Sequence, residues 1–245
     1  CSMLSSSSTA PRADDLSSYD PLTMRHYEVS QAKENIAYMD FKDKNFIKME
    51  VFFATGREKV YEGRFNVNFS SKQGDEITYG NTFVSIPRDH RIGVLDSPSI
   101  LRFEFNENPE KHIVLMSVNE MEQESYFDSL KEKLKNSSEN DLLIFVHGYN
   151  ATFEDAARRT AQLTYDLRFS GASIFYSWPS QGGVLPYFTD ENNVILAQKY
   201  IQKFLASVIS KTEAENIYLI GHSMGNRALT RAFIELVKEK PSTKT

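Results

Sequence analysis

The sequence predicts an α/β protein: a mostly parallel sheet with flanking helices, preceded by a β-rich, antiparallel N-terminal part. Three observations carry that expectation. After residue 140, apolar strand-like runs alternate with helical stripes across short connections, the pattern of a parallel sheet. Before it, short runs alternate apolar and charged residues as half-buried strands do. Between the last apolar run and the last helical stripe stands Gly221-His222-Ser223-Met224-Gly225, a tight break from strand into helix.

The elements follow in chain order. Residues 1 to about 25 are rich in Ser, Asp and Pro without an apolar period and read as a flexible leader. Met49 to Thr55 reads as a strand, with Gly56-Arg57 as the turn after it. A second strand runs across Thr82 to Ile86, stopped by Pro87, and Asp89 to Gly93 is loop. Leu101 to Phe105 and His112 to Val118 repeat the strand pattern, and Tyr126 to Leu134 is a short helix. Leu142 to Val146 is a continuous apolar run, as a strand covered on both faces requires. His147-Gly148-Tyr149-Asn150 turns away from it. Thr152 with Asp155 forms a capping box that opens a helix with Phe153, Ala156, Leu163 and Leu167 on one face. Ala172 to Ser177 is the next strand, Trp178 to Gly183 its loop, and Val194, Ala197, Ile201, Phe204, Leu205 and Val208 stripe a helix. The strand at Ile217 then enters the glycine-flanked break, and Ala228, Leu229, Ala232, Phe233 and Leu236 stripe the helix beyond. In such sheets ligands bind beyond the carboxyl ends of the strands. The loops 147–150, 178–183 and 221–225 are therefore expected at one site.

Composition narrows the function classes. A chain of 245 residues with 40% hydrophobic and 25% charged residues is ordinary for a globular protein. A net charge of -5 gives no basic face for a phosphate backbone, so nucleic acid is not an expected partner. No apolar run approaches the roughly 20 residues that span a bilayer. The single cysteine is Cys1, so neither a disulfide framework nor a thiolate metal site can be built, and no metal or cofactor is expected. Cys1 followed by a serine run leaves two readings open. It is the lipid-bearing residue of a mature bacterial lipoprotein, tethered to the membrane in the cell envelope or periplasm, or it is where a fragment of a cytoplasmic protein begins.

Gly221-His222-Ser223-Met224-Gly225 reads as a nucleophile elbow. A serine hydroxyl is a poor nucleophile at neutral pH unless it is lifted from the sheet, aimed and given a base. The sharp turn lifts Ser223. Side chains at 221 and 225 would collide with each other and with the helix start, which glycine prevents. The amide of Met224, at the N-terminus of the new helix, then points where an oxyanion would form.

Taken together, Phe145-Val146-His147-Gly148-Tyr149-Asn150, Ser177-Trp178-Pro179-Ser180 and Gly221-His222-Ser223-Met224-Gly225-Asn226-Arg227 resemble the α/β-hydrolase superfamily. More narrowly they resemble a bacterial α/β-hydrolase family of unknown function, often labelled esterase or lipase-like. Tyr79 to Pro87 and Asn108 to Leu115 resemble the N-terminal β region of that family, so the resemblance covers about residues 45 to 240. It implies an α/β-hydrolase fold over 31–245 after a leader at 1–30, with the elbow strand, usually central in the superfamily's sheet, left here at an unpaired edge. It implies Ser223 as the catalytic residue, with the amides of Tyr149 and Met224 as the oxyanion hole. It implies a small-molecule ester as substrate.

One departure stands out. In the superfamily the acid and histidine of the triad follow the serine, yet the 22 residues after Ser223 contain neither histidine nor aspartate. Glu235 and Glu239 there belong to a solvated helix face. The expectation is that the final strands, the acid and the histidine lie beyond residue 245. His147 is expected as a structural partner in the oxyanion loop, with His222 pointing away from the pocket. Trp178 either lines an acyl pocket or packs in the core, and Arg57 either meets an anionic substrate or lies on the surface. The alternative reading is a non-catalytic scaffold or binding lipoprotein that keeps the fold.

Overall fold

Apolar runs and polar breaks in the chain become six strands and four helices among the described residues, which in the computed structural model are 45–93, 107–180 and 187–239, with side chains in the last segment from 196 onward. The strands are β1 (Phe46–Val60), β2 (Asn68–Pro87), β3 (Val114–Met121), β4 (Asp141–Val146), β5 (Ala172–Ser177) and β6 (Asn216–Gly221). The helices are α1 (Gln123–Lys135), α2 (Phe153–Asp166), α3 (Tyr187–Lys211) and α4 (Met224–Glu239). The expected leader and the expected strand at Leu101 to Phe105 lie outside the described residues.

The strands form one sheet in the order β3-β2-β1-β5-β4-β6. β1, β5, β4 and β6 run parallel, while β2 is antiparallel to both β1 and β3. The mixed architecture expected from the sequence is thus a single sheet whose antiparallel edge is its N-terminal part. Alternation along each strand divides the core. Leu142, Ile144 and Val146 join α1, α3 and α4 on one face. Leu143 and Phe145 join Phe153, Ala156, Ala157 and Ala161 of α2 on the other. Every residue of β4 and β5 is buried, as strands covered on both faces must be. Phe53 anchors the α2 face, its ring edge-on to Phe153 at 5.0 Å and to Phe69 at 5.6 Å. Thr152 caps α2 as expected. Its hydroxyl accepts from the Asp155 amide at 3.1 Å, and the Asp155 carboxylate accepts from the Thr152 amide at 2.9 Å.

One expectation is corrected. Gly56-Arg57 is not a turn: β1 continues to Val60, because β2 starts as early as Asn68 and keeps offering ladder partners, Arg57 opposite Gln73 and Lys59 opposite Phe69. The glycine is absorbed as register irregularities on both sides of Arg57. The start of β2 is mostly polar and carries no regular apolar alternation; this pairing holds it, with Phe69 packed on the core. The elbow strand β6 lies at the end of the described sheet, as expected for it in this chain, paired with β4 and half-exposed along its length. Among the described residues, no helix is long and apolar enough to cross a membrane.

Candidate functional site

Register decides which loops meet. Val146 lies opposite Tyr176 and Gly221, and Thr55 lies opposite Ser177, so β4, β5 and β6 end at one level, where the pairing of β1 with β5 also stops. The segments 147–151, 178–180 and 222–225 leave the sheet there, together with the continuation of β1 at Gly56 and Arg57. The rest of the loop expected at 178–183 lies outside the described residues.

The elbow has the backbone its sequence demands. Ser223 has a φ of 49°, a left-handed conformation costly for a residue with a side chain, and Ser223 is exposed. The turn closes with the Gly225 amide donating to the His222 carbonyl at 2.9 Å and the Asn226 amide donating to the Ser223 carbonyl at 3.1 Å. Among the described residues, no hydrogen bond of this kind engages the Met224 amide at the head of α4. A Cβ at Gly221 would lie 2.6 Å from the Cα of Asn226, the expected clash with the helix start. Gly225 needs its missing side chain for a different reason from the one expected. Its Cβ would fall 2.0 Å from the His147 carbonyl oxygen and 2.7 Å from that of Val146, so it lets α4 rest directly on the end of β4.

The β4 loop presses against the elbow from the other side. A Cβ on Gly148 would stand 2.5 Å from His222 Nδ1 and 3.0 Å from Ser223 Cβ, so only bare backbone fits beside the serine. His147 sets that backbone. Its Nε2 accepts from the Trp178 amide at 3.1 Å, which makes Nδ1 the protonated nitrogen, and Nδ1 donates to the Gly148 carbonyl at 2.9 Å. The Gly148–Tyr149 peptide is planar and trans, so with its carbonyl held by the imidazole its N–H faces the opposite way. Tyr149 itself is half-buried against the core beneath α1, α3 and α4. Burial, with the Arg57 charge adding to it, lowers the His147 pKa to about 3. His147 is therefore neutral at physiological pH, with both nitrogens occupied.

Trp178 is fully buried. Its ring stacks on His147 at 5.1 Å and its indole N–H donates to the His147 carbonyl at 2.7 Å. Of its two expected roles, packing is the one these contacts serve. His222 is exposed and lies along the His147–Gly148 backbone.

Arg57 overturns both of its expectations. It is only 2% exposed, so it is not a surface residue, and its guanidinium is turned onto protein acceptors instead of toward a ligand. Nε donates to Ser177 Oγ at 2.8 Å, Nη1 to the Ser70 and Ser180 carbonyls at 3.1 and 3.2 Å, and Nη2 to the Ala151 carbonyl at 2.8 Å. Ser177 Oγ in turn lies 3.3 Å from His147 Nε2, and Thr55 Oγ1 donates to the Ser177 carbonyl at 2.7 Å. The signal for this cluster is tertiary. Only the register that sets Thr55 opposite Ser177 brings these residues together.

The remaining histidines are engaged elsewhere. His90 Nε2 pairs with Asp166 at 2.9 Å, but Pro87 of β2 lies opposite Phe46 at the start of β1, so this pair sits at the far end of the sheet from Ser223. His112 Nδ1 accepts from the Asn108 amide. His26 lies outside the described residues. Among the described residues, no group of three or more His, Cys, Asp or Glu side chains could hold a metal. Glu235 is half-buried, and its solvent-facing carboxylate accepts from Lys238 at 2.7 Å.

Residues 122–244 match the family described as alpha/beta hydrolase of unknown function (DUF900). Uncharacterized protein alr1448 of Nostoc sp. (strain PCC 7120) is 24% identical over 131 residues, which cover 43% of this chain and 34% of that relative. The chain thus spans about a third of the relative's length. No solved structure matches.

Proposed function

The chain belongs to the family of alpha/beta hydrolases of unknown function (DUF900) that its residues 122–244 match, and from that membership we propose that it is a serine hydrolase of small carboxylic esters. Ser223 Oγ bonds to the ester carbonyl carbon and passes its proton to a base. The carbonyl oxygen becomes an oxyanion held by the amides of Met224 and Tyr149. The carbon–alkoxy bond then breaks, the alkoxide leaves as alcohol with the proton from the base, and water releases the acid from the acyl-enzyme. His147, with both nitrogens occupied, and His90, at the other end of the sheet, do not serve as that base.

The single observation that carries this reading is the exposed, left-handed Ser223 wedged between two backbone contacts, Gly148 on one side and the end of β4 under Gly225 on the other. Strain of this kind is kept where it serves a mechanism. The test is turnover of p-nitrophenyl acetate and butyrate by the full-length protein. Ser223→Ala is expected to lower kcat by about 10⁴-fold or more. Equal turnover by that variant contradicts the proposal. A second reading, a non-catalytic scaffold, is favoured by one observation: no described histidine other than His222 adjoins the serine with a free nitrogen. A folded full-length protein that turns over no ester would support it.

A further inference from the structure

We propose that Arg57 is the positioning residue of the oxyanion loop: its buried guanidinium ties segment 148–151 to segment 177–180 and thereby fixes where the Tyr149 amide sits. The functional consequence rests on the reading of Ser223 as nucleophile. The placement stands on geometry alone.

Arg57 reaches the loop by two routes that bracket the Gly148–Tyr149 peptide. Directly, Nη2 donates to the Ala151 carbonyl at 2.8 Å, two residues after Tyr149. Indirectly, Nε donates to Ser177 Oγ at 2.8 Å, that oxygen lies 3.3 Å from His147 Nε2, and His147 Nδ1 holds the Gly148 carbonyl at 2.9 Å. A third arm fixes the neighbouring loop at the Ser180 carbonyl. All three routes start from one residue in the sheet, since Arg57 is paired with Gln73 of β2. The loop is therefore referenced to the strands rather than to solvent-exposed contacts. Acceptors that diverge from one buried point suit a planar fork of five fixed donors. The three rotatable donors of a lysine, radiating from a single nitrogen, cannot serve the Ala151 and Ser177 sides together. Oxyanion stabilisation depends on donor placement, and a displacement of about 1 Å far from the chemistry can lower turnover about a hundredfold.

The experiment compares Arg57→Gln and Arg57→Lys with wild type in the full-length protein. Ser177→Ala serves as a milder cut of the indirect route should the first two fail to fold. Two readouts are taken: amide hydrogen exchange by peptide, and kcat and KM on p-nitrophenyl butyrate. Exchange over 148–151 is expected to rise about tenfold or more while β4 and β5 keep their protection. Ester kcat is expected to fall between about 10- and 100-fold with KM changed less than about twofold, and Lys is not expected to rescue. Unchanged exchange at 148–151 overturns the proposal. So does a rise shared equally by β4 and β5, which would mark a residue that only stabilises the fold, or a raised KM at constant kcat. If wild type hydrolyses no ester, the Ser223 reading fails on its own, and the exchange pattern still decides what Arg57 holds.

Discussion

Both ring nitrogens of His147 are committed, one to the Trp178 amide and one to the Gly148 carbonyl, and this makes the residue a proton-sensitive joint. Its pKa falls from 6.5 in the unfolded chain to about 3 in the folded one, first because of burial and then because of Arg57. The unfolded state therefore takes up the proton first as pH drops. Stability from this residue is intact above pH 6.5 and declines between 6.5 and 3 by about 1.4 kcal/mol per pH unit. Urea unfolding between pH 7 and 4.5 is expected to show this slope, and His147→Gln is expected to remove its share. An identical slope in the variant would contradict the assigned protonation. At this scale the sequence revealed residues whose chemistry is local. Ser223 and Gly221 could be read because the elbow is contiguous, and His147 because it ends an apolar strand. Arg57 could not, since its acceptors at Ser70, Ala151, Ser177 and Ser180 are distant in the chain.

The elbow is also an element-scale device, in which the first turn of α4 rests on the carbonyls that end β4. Val146 ends a buried strand paired on both sides and the His147 carbonyl just after it is held by the Trp178 indole, so neither has room to yield. Gly225→Ala is accordingly expected to destabilise the protein by about 3 kcal/mol or more, read as a lowered Tm and urea midpoint. A loss below about 0.5 kcal/mol would mean that the contact relaxes freely. Elements with a burial pattern were legible in advance. β4 showed as an unbroken apolar run, α2 showed its capping box, and α4 its stripe. The first part of β2 was not legible, because Asn68 to Thr78 pairs with β1 through its backbone while carrying mostly polar side chains without a regular alternation. The same pairing carries β1 past Gly56, a residue that in isolation signals a turn.

For the molecule as a whole, alternation of strands and helices after residue 140 was enough to anticipate a parallel sheet, because short connections leave few other ways to bury continuous apolar strands. Strand order was not available from the same pattern. That β1 inserts beside β5, joining the antiparallel part to the parallel one, depends on pairings more than a hundred residues apart, Phe52 with Ile174 among them. This insertion brings Arg57 to the loops that follow β4 and β5, where it donates to the Ala151 and Ser180 carbonyls. The most direct measurement of the central claim is covalent labelling of the full-length protein with a fluorophosphonate probe, read by mass spectrometry of the peptide containing Ser223. One adduct on Ser223, absent in Ser223→Ala and after heat denaturation, is the expected result. A folded protein that carries no adduct at Ser223 would contradict it.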